Sequence, residues 1–297
     1  MRNLAKHLPD SSGFDLKHIL VEPGKPISLK KDFDPAYSGN FKNKEETLTE
    51  LRLNIEQLAG QQDILYANGT YALLLVLQAL DAAGKDSTIK HVMSGVNPQG
   101  CEVYSFKAPF QEELDHDYLW RAAKRLPRRG RIGIFNRSYY GEVLVVRVHP
   151  EILAKQHLPP CEKDQSIWKH RFEEINCFER YLIVLKLFLN VSKKEQKVRF
   201  LKRIEEKDKN WKFSAADVLE RRHWAEHMAA YEDMFNHTST DWAPWFIVPA
   251  DHKWFTRLCV SEIIVATLKS LGLKYSKVSD EQIAELQKAK EELLNEK

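Results

Sequence analysis

Lys85 and Asp81 lie four residues apart in Ala79 to Asp86 (ALDAAGKD), directly after the apolar run Leu73 to Leu77 and ahead of a stretch with helical spacing through Ile89. A strand, a tight loop ending in Gly84-Lys85 and a helix form a turn in which backbone N–H groups and the positive helix end converge. The expected occupant is a phosphate chain, with the lysine ammonium closing over it. Against the general G-x-x-x-x-G-K-[ST] pattern two fixed positions differ: Ala79 replaces the first glycine and Asp86 replaces the magnesium-binding hydroxyl. On the motif alone, a plain turn carrying a surface lysine stays open. Asp81 favours chemistry, because a carboxylate among phosphates is repelled unless a divalent cation lies between them.

The second candidate cluster follows Ile132 to Phe135 (IGIF), a short apolar strand that ends at once in Asn136, Arg137, Ser138, Tyr139 and Tyr140. Polar groups at the carboxyl end of a buried strand are where open α/β sheets place ligands. A structural salt bridge is the alternative role for Arg137. The third is a charge run: Lys193 to Lys212 holds nine Lys/Arg against four acids, a local balance of +5 in a chain whose net charge is +3. The positive charge is therefore concentrated in one segment, where a solvated face is the alternative role for any single lysine.

The elements that must position these groups follow from periodicity. Residues Met1 to Asn43, with Pro9, Pro23, Pro26 and Pro35, read as an arm running over the surface, in which Ser28 to Asp34 is the part expected to dock. Leu48, Leu51, Ile55, Leu58 and Leu65 fall at helical spacing over Lys44 to Asn68, with Gly69 at the C-cap. Further strands are expected at Cys101 to Phe106, Tyr181 to Leu189 and Trp245 to Pro249. Helices are expected at Glu112 to Leu126, Trp168 to Arg180, Ala215 to Phe235 and Thr256 to Leu271, and a last helix starts at the capping box Ser279-x-x-Gln282. Val148 to Lys163 reads as loop. Five strands alternating with helices imply a parallel sheet covered on both faces.

At 297 residues, 43% hydrophobic and 29% charged, the chain has the composition of a globular protein with a full core. No stretch approaches the ~20 apolar residues of a membrane span and the start lacks an apolar signal core, so a cytoplasmic protein without a membrane partner is expected. Cys101, Cys161, Cys177 and Cys259 show no disulfide or zinc spacing. The eleven histidines are scattered, and His223 with His227 at helical spacing read as surface or packing residues.

Four ordered stretches resemble the polyphosphate kinase 2 family of P-loop phosphotransferases over roughly residues 25 to 275. The first is ALDAAGKD, where this family's own phosphate loop carries aspartate at the third position and no Ser/Thr after the lysine. The second is Ile132 to Tyr140 (IGIFNRSYY), similar to the family's Walker B region with asparagine, as in its class III branch, at Asn136. The third runs from Ser192 to Phe200 and from Asn210 to Ser214 and Asp217, like the family's lid. The fourth is Thr238 to Trp245 with Pro249 to Lys253. One position departs: Gly141 follows Tyr140 where this branch carries an acidic residue, and Glu142 comes one position later.

The resemblance implies a P-loop kinase-like three-layer α/β fold, a five-stranded parallel sheet with a basic helical lid at about residues 192 to 217 in a domain spanning 44 to 297. It implies transfer of a phosphoryl group from inorganic polyphosphate to AMP and ADP, with Mg2+ or Mn2+, by a homo-oligomer. Within that reading Lys85 clamps phosphate and Arg137 stabilises transferred charge. Asp81 serves magnesium and activation of the acceptor phosphate, and Asn136 is a metal-shell or phosphate contact. Ala82, Ala83, Gly84 and Asp86 line the loop; Lys193, Lys197, Arg199, Arg203 and Lys212 supply the channel, for which a flexible polyanion needs charge that tolerates sliding. An ATP-dependent nucleoside monophosphate kinase would share the sheet, loop and basic lid. A nucleic-acid-binding protein is the non-enzymatic alternative, and no recognition helix or RNA-binding motif supports that partner.

Overall fold

The computed structural model describes residues 15–159, 164, 166–212, 214–276 and 278–296. Helices of eight or more residues are labelled. In chain order they and the strands are α1 (Glu45–Asn68), β1 (Leu73–Gln78), α2 (Lys85–Val92), β2 (Cys101–Ser105), β3 (Ile132–Asn136), α3 (Gly141–Val148), α4 (Ile167–Glu179), β4 (Val184–Asn190), α5 (Lys193–Glu205), α6 (Trp224–Thr238), β5 (Trp245–Pro249), α7 (Lys253–Ser270) and α8 (Asp280–Leu294).

The strands form one parallel sheet in the order β2-β3-β1-β4-β5. Its two faces are written in the strands with period two. Leu73, Leu75 and Leu77 join Leu185, Leu187, Leu189, Phe246 and Val248 in a core covered by α1, α2 and α7. Leu74 and Val76 join Phe135, Phe188, Trp245 and Ile247 in a second core under α3, α4 and α6. Strands buried on both faces read as continuous apolar runs for this reason. Gly69 closes α1 in the left-handed region at φ 64°, its N–H donating to the Leu65 carbonyl at 3.1 Å.

β1 is central, and its register sets Leu77 opposite Asn136 and Gln78 opposite Phe188. β1 and β3 thus end within one residue of each other, β4 runs on from Phe188 to Asn190, and the loops that leave them open into one crevice.

Under that crevice lies a buried ionic network. Lys186 in β4 and Glu179 at the end of α4 are both fully buried, with Nζ and Oε2 2.7 Å apart. Lys186 Nζ also donates to the Thr238 carbonyl at 2.6 Å and Tyr140 Oη at 3.1 Å. The other oxygen of Glu179 accepts from Tyr139 at 2.7 Å and Tyr140 at 2.9 Å. The network pins the loop after β3 to β4 and to the end of α6.

Several expectations change. The stretch Glu112 to Leu126 forms two short helices, Gln111–Leu114 and Trp120–Ala123, because the Asp117 carboxylate takes the Leu119 N–H at 2.9 Å and starts a new turn. Pro150–Ala154, read as loop, is helical, with proline at its first position. Ala215 to Phe235 splits into Ala215–Glu220, a 3₁₀ turn at Arg221–His223, and α6.

The arm is more deeply docked than its prolines suggest. Leu16, Ile19, Val21, Leu29 and Phe33 are buried, Leu20 bridges Phe246 antiparallel, and Val21 N–H donates to the Trp245 carbonyl at 2.9 Å. It covers the free edge of β5 and satisfies backbone groups that an open edge would expose. The first fourteen residues of the arm, and Cys161, lie outside the described residues. Among the described residues no helix is long and apolar enough to cross a membrane.

Candidate active site

The loop between β1 and α2 is held in a conformation that its side chains disfavour. Ala82 has φ 62° and Gly84 φ 108°. Only glycine adopts such angles freely, so Ala82 costs about 1 kcal/mol or more that the surroundings must offset. The offset comes from Arg199. Its guanidinium is buried and donates to the carbonyls of Ala82 (3.2 Å), Ala83 (2.7 Å), Ala250 and Asp251 (3.1 Å), while Nε meets Glu195 Oε1 at 2.8 Å. A planar fork with five donors suits this convergence of acceptors. Arg199 therefore braces the loop through its backbone carbonyls, and does not project from the lid into solvent as a charge run suggests. Gln196, one turn earlier in α5, adds a bond from Nε2 to the Asp81 carbonyl at 2.8 Å.

Asp81 and Arg137 meet across the crevice, Arg137 Nη2 lying 3.2 Å from Asp81 Oδ1. Arg137 also sits in the left-handed region, φ 64°, at the exit of β3. Two non-glycine residues with positive φ in facing loops of one crevice mark stored backbone strain at a site. Arg137 remains 57% exposed beyond its partner, so the guanidinium can still receive a ligand. Asn136 Nδ2 donates to Asp86 Oδ1 at 2.7 Å, joining the end of β3 to the first turn of α2. Gln78 and Ser138 are bonded beneath them at 2.8 Å.

Lys85 opens α2, half-buried, its Nζ donating to the Ala79 carbonyl at 2.8 Å. Burial pushes its ammonium down to about 8, against the opposing pull of Asp81 and with the push of Arg137 and Arg203. The proton is thus lost from the folded free protein in a range where the unfolded chain keeps it, and stability rises with pH above about 8. For activity the sign is opposite. If the ammonium binds phosphate, kcat/KM should fall above about pH 8, and the fall in kcat should lie higher because bound anions favour the charged form. Lys85→Arg should lack this limb; a limb of the same position in that variant would assign it to another group.

Asp217, in the short helix Ala215–Glu220, faces the same cleft as Asp81, Gln196 and Glu220. Its carboxyl is pushed up, first by burial and then by Asp81, against the pull of Arg203, Arg137 and Lys85. Its spacing within the lid motif was its one signal in the sequence, and nothing there assigned it a role. The carboxylates of Asp81 and Asp217 line one cleft, and their hard oxygens fit a Mg2+ or Mn2+ ion, which takes carboxylate and phosphate oxygens together.

Above the crevice α5 starts at Ser192, whose Oγ accepts the Glu195 N–H at 3.0 Å. Lys193 and Lys197 are exposed; Lys193 Nζ lies 5.8 Å from the centre of the Trp224 ring. Arg203 stacks at 5.5 Å on Phe200 and is close enough to act on Lys85 and Asp217. The side chain of Lys212, at the end of the 3₁₀ turn Lys207–Lys212, lies outside the described residues. Glu142 is bound to Arg171 at 3.2 Å and to Gln156 at 2.7 Å, which ties its carboxylate to structural partners.

Comparisons with known proteins give the family and the fold. The family model for polyphosphate kinase 2 matches residues 41–276. An ADP-polyphosphate phosphotransferase of Rhodopseudomonas palustris is 46% identical over 287 residues, covering 94% of this chain and 98% of the relative. An AMP/ADP-polyphosphate phosphotransferase of Meiothermus ruber is 42% identical, covering 88% of this chain and 95% of its own length. The crystal structure of polyphosphate kinase 2 from Arthrobacter aurescens superposes with a TM-score of 0.81 at 35% identity, over 91% of this chain and 98% of that one.

Proposed function

The chain belongs to the polyphosphate kinase 2 family, and we propose that it transfers a phosphoryl group from inorganic polyphosphate to ADP and to AMP, with Mg2+ or Mn2+. The observation that carries this reading is the meeting of Lys85, Asp81, Arg137 and Asp217 in one crevice, with the basic helix α5 over it.

Phosphoryl transfer asks a protein for positioning and charge neutralisation more than for covalent chemistry. Lys85 and the N–H groups at the start of α2 hold phosphate oxygens. Arg137 lies where charge builds on the transferred group, and its exchange between Asp81 and the phosphoryl oxygens frees the Asp81 carboxylate for the cation and the acceptor phosphate. Asp81 and Asp217 would hold the metal, with the Asn136 amide as a further contact. The bound cation supplies charge neutralisation and alignment of the phosphate oxygens. Lys193, Lys197 and Arg203 give the polyanion a track.

The track predicts a salt effect. Apparent affinity for polyphosphate should fall steeply with salt, and Lys197→Ala or Arg203→Ala should flatten the slope by about one charge each. Arg199→Ala should instead damage the loop itself, since that guanidinium is spent on carbonyls. A slope unaffected by Lys197 and Arg203 would remove α5 from polyphosphate binding.

The acceptor prediction rests on Asn136. Its amide binds the Asp86 carboxylate, so Asn136→Asp would set two carboxylates face to face at hydrogen-bond distance. AMP must bring its single phosphate deeper than ADP does to meet the donor. The variant should therefore lose more kcat/KM on AMP than on ADP, by roughly tenfold if about 1.4 kcal/mol of extra repulsion acts on the deeper phosphate. Equal losses on both acceptors would refute this role for Asn136. The direct test of the function is luciferase detection of ATP from ADP, polyphosphate and Mg2+; absence of ATP would refute it.

A further inference from the structure

At the wall of the cleft that Glu220 and His227 help to line, three residues from distant parts of the chain converge. His149 stands between α3 and Pro150–Ala154, Glu220 ends the short helix that carries Asp217, and His227 lies in the first turn of α6. Nε2 of His149 is 2.7 Å, and Nε2 of His227 2.5 Å, from the same oxygen of Glu220. The three ligand atoms lie within 4.8 Å of one another. None of the three has a part in the phosphate chemistry above.

We propose that His149, Glu220 and His227 form a binding site for a transition-metal dication of the Zn2+ type, distinct from the Mg2+ or Mn2+ of phosphoryl transfer. Two imidazoles and one carboxylate are the donor set of three-ligand zinc sites, whereas a hard ion such as Mg2+ prefers oxygen alone.

The surroundings of His149 carry the argument beyond the cluster itself. Its other nitrogen, Nδ1, lies 3.3 Å from Glu151 Oε1. A neutral imidazole has one N–H, yet this ring presents a nitrogen to a carboxylate on each side. Either the ring is doubly protonated, or Nδ1–H points to Glu151 and Nε2 offers its lone pair to a metal. The second is the carboxylate–histidine–metal arrangement, in which the outer carboxylate fixes the tautomer and raises the basicity of the ligand. His227 is buried, so its Nε2 is aimed by packing and needs no ordering on metal binding. His223, edge-on to His149 with ring centroids 5.2 Å apart, is a further imidazole near the site; its Nδ1 is 3.9 Å from Glu226. Water or His223 can complete four-coordination.

The spacing needed is within reach. Ligand atoms of a tetrahedral zinc site with bonds of about 2.0 Å stand about 3.3 Å apart. Glu220 would withdraw by roughly 0.7 Å from each ring, within reach of a rotation of a side chain that is one-third exposed, and the two imidazole nitrogens, within 4.8 Å of each other, would settle to the same spacing by a shift of His149. Occupancy would tie the helix Ala215–Glu220 to α3 and α6, and with it Asp217, one turn before Glu220 and beside Asp81. The lid's exit would then be fixed by a metal.

The test uses the full chain without an affinity tag, cleared of metal by a chelator and titrated with ZnCl2 against a fluorescent chelator, then with CoCl2 in the visible. One equivalent of Zn2+ should bind with submicromolar affinity in the presence of millimolar Mg2+, and Co2+ should give the intense absorption of a four-coordinate site. His149→Ala and His227→Ala should each weaken Zn2+ binding by about 100-fold or more. Glu151→Gln alters only an exposed side chain and should weaken it by about tenfold through the outer hydrogen bond, so a folding defect in the histidine variants does not decide the matter. Absence of tight Zn2+ binding in the parent chain would overturn the proposal, leaving the cluster a proton-only hydrogen-bond network. Binding of undiminished strength in both histidine variants, or in Glu151→Gln together with a featureless Co2+ spectrum, would overturn it equally.

Discussion

Lys85→Ala should lower kcat by roughly 10²- to 10³-fold or more, the range for removing one preorganised donor from a site where charge develops. The fold should survive. Among the described residues Lys85 makes one hydrogen bond, to the Ala79 carbonyl, and its half-buried ammonium is held there at a cost, which is why its proton is released near pH 8. Removing a disfavoured cation forfeits little stability, so the midpoint of chemical unfolding should stay within about 1 kcal/mol of the parent. Steady-state kinetics and a denaturation curve on the same preparation separate the two effects. Activity within tenfold of the parent would remove the lysine from the chemistry, and gross unfolding would show that the loop depends on it structurally.

Lys186→Met should give the largest loss of stability, about 3–5 kcal/mol, the cost of leaving one partner of a buried ion pair without the other. Glu179 would remain fully buried with two tyrosine hydroxyls and no cation. Because only Ser138 separates Arg137 from Tyr139 and Tyr140, the loop that carries Arg137 should loosen as well, and kcat should fall even at temperatures where the variant is folded. The double variant Lys186→Met with Glu179→Gln removes the orphaned charge and should recover a large part of the loss. Urea midpoints with unchanged m-values would measure both. A loss under 1 kcal/mol in the single variant would mean that water or a rearranged partner already satisfies Glu179.

The sheet and phosphate loop were legible in the sequence for local reasons. Apolar runs such as Leu73 to Leu77 and Tyr181 to Leu189 read as strands between stretches of helical spacing, and Gly84-Lys85 follows the first at a fixed distance. The joining of Asp81 to Arg137 was not, since salt bridges across 56 residues leave no periodic trace. Charge counting put Arg199 in the channel with its neighbours. Only the helical phase of α5, which turns Gln196, Arg199 and Phe200 inward, tells which arginine is buried. The strain at Ala82 and Arg137 is also silent in sequence, because neither residue type advertises a positive φ. The expected helix over Glu112 to Leu126 failed where an aspartate competed for the backbone. His149 and Glu220, 71 residues apart, meet through tertiary packing, which leaves no local trace in the sequence.

The central claim concerns the phosphoryl donor, and an ATP-free donor exchange tests it most directly. The protein is incubated with AMP, Mg2+ and polyphosphate, and separately with AMP, Mg2+ and a nucleoside triphosphate that carries a different base, with nucleotides resolved by chromatography over time. The account predicts ADP and then ATP in the first reaction, at a rate far above any ADP formed in the second. ADP formed only with the triphosphate, and none with polyphosphate, would contradict it and identify a nucleoside monophosphate kinase on the same sheet.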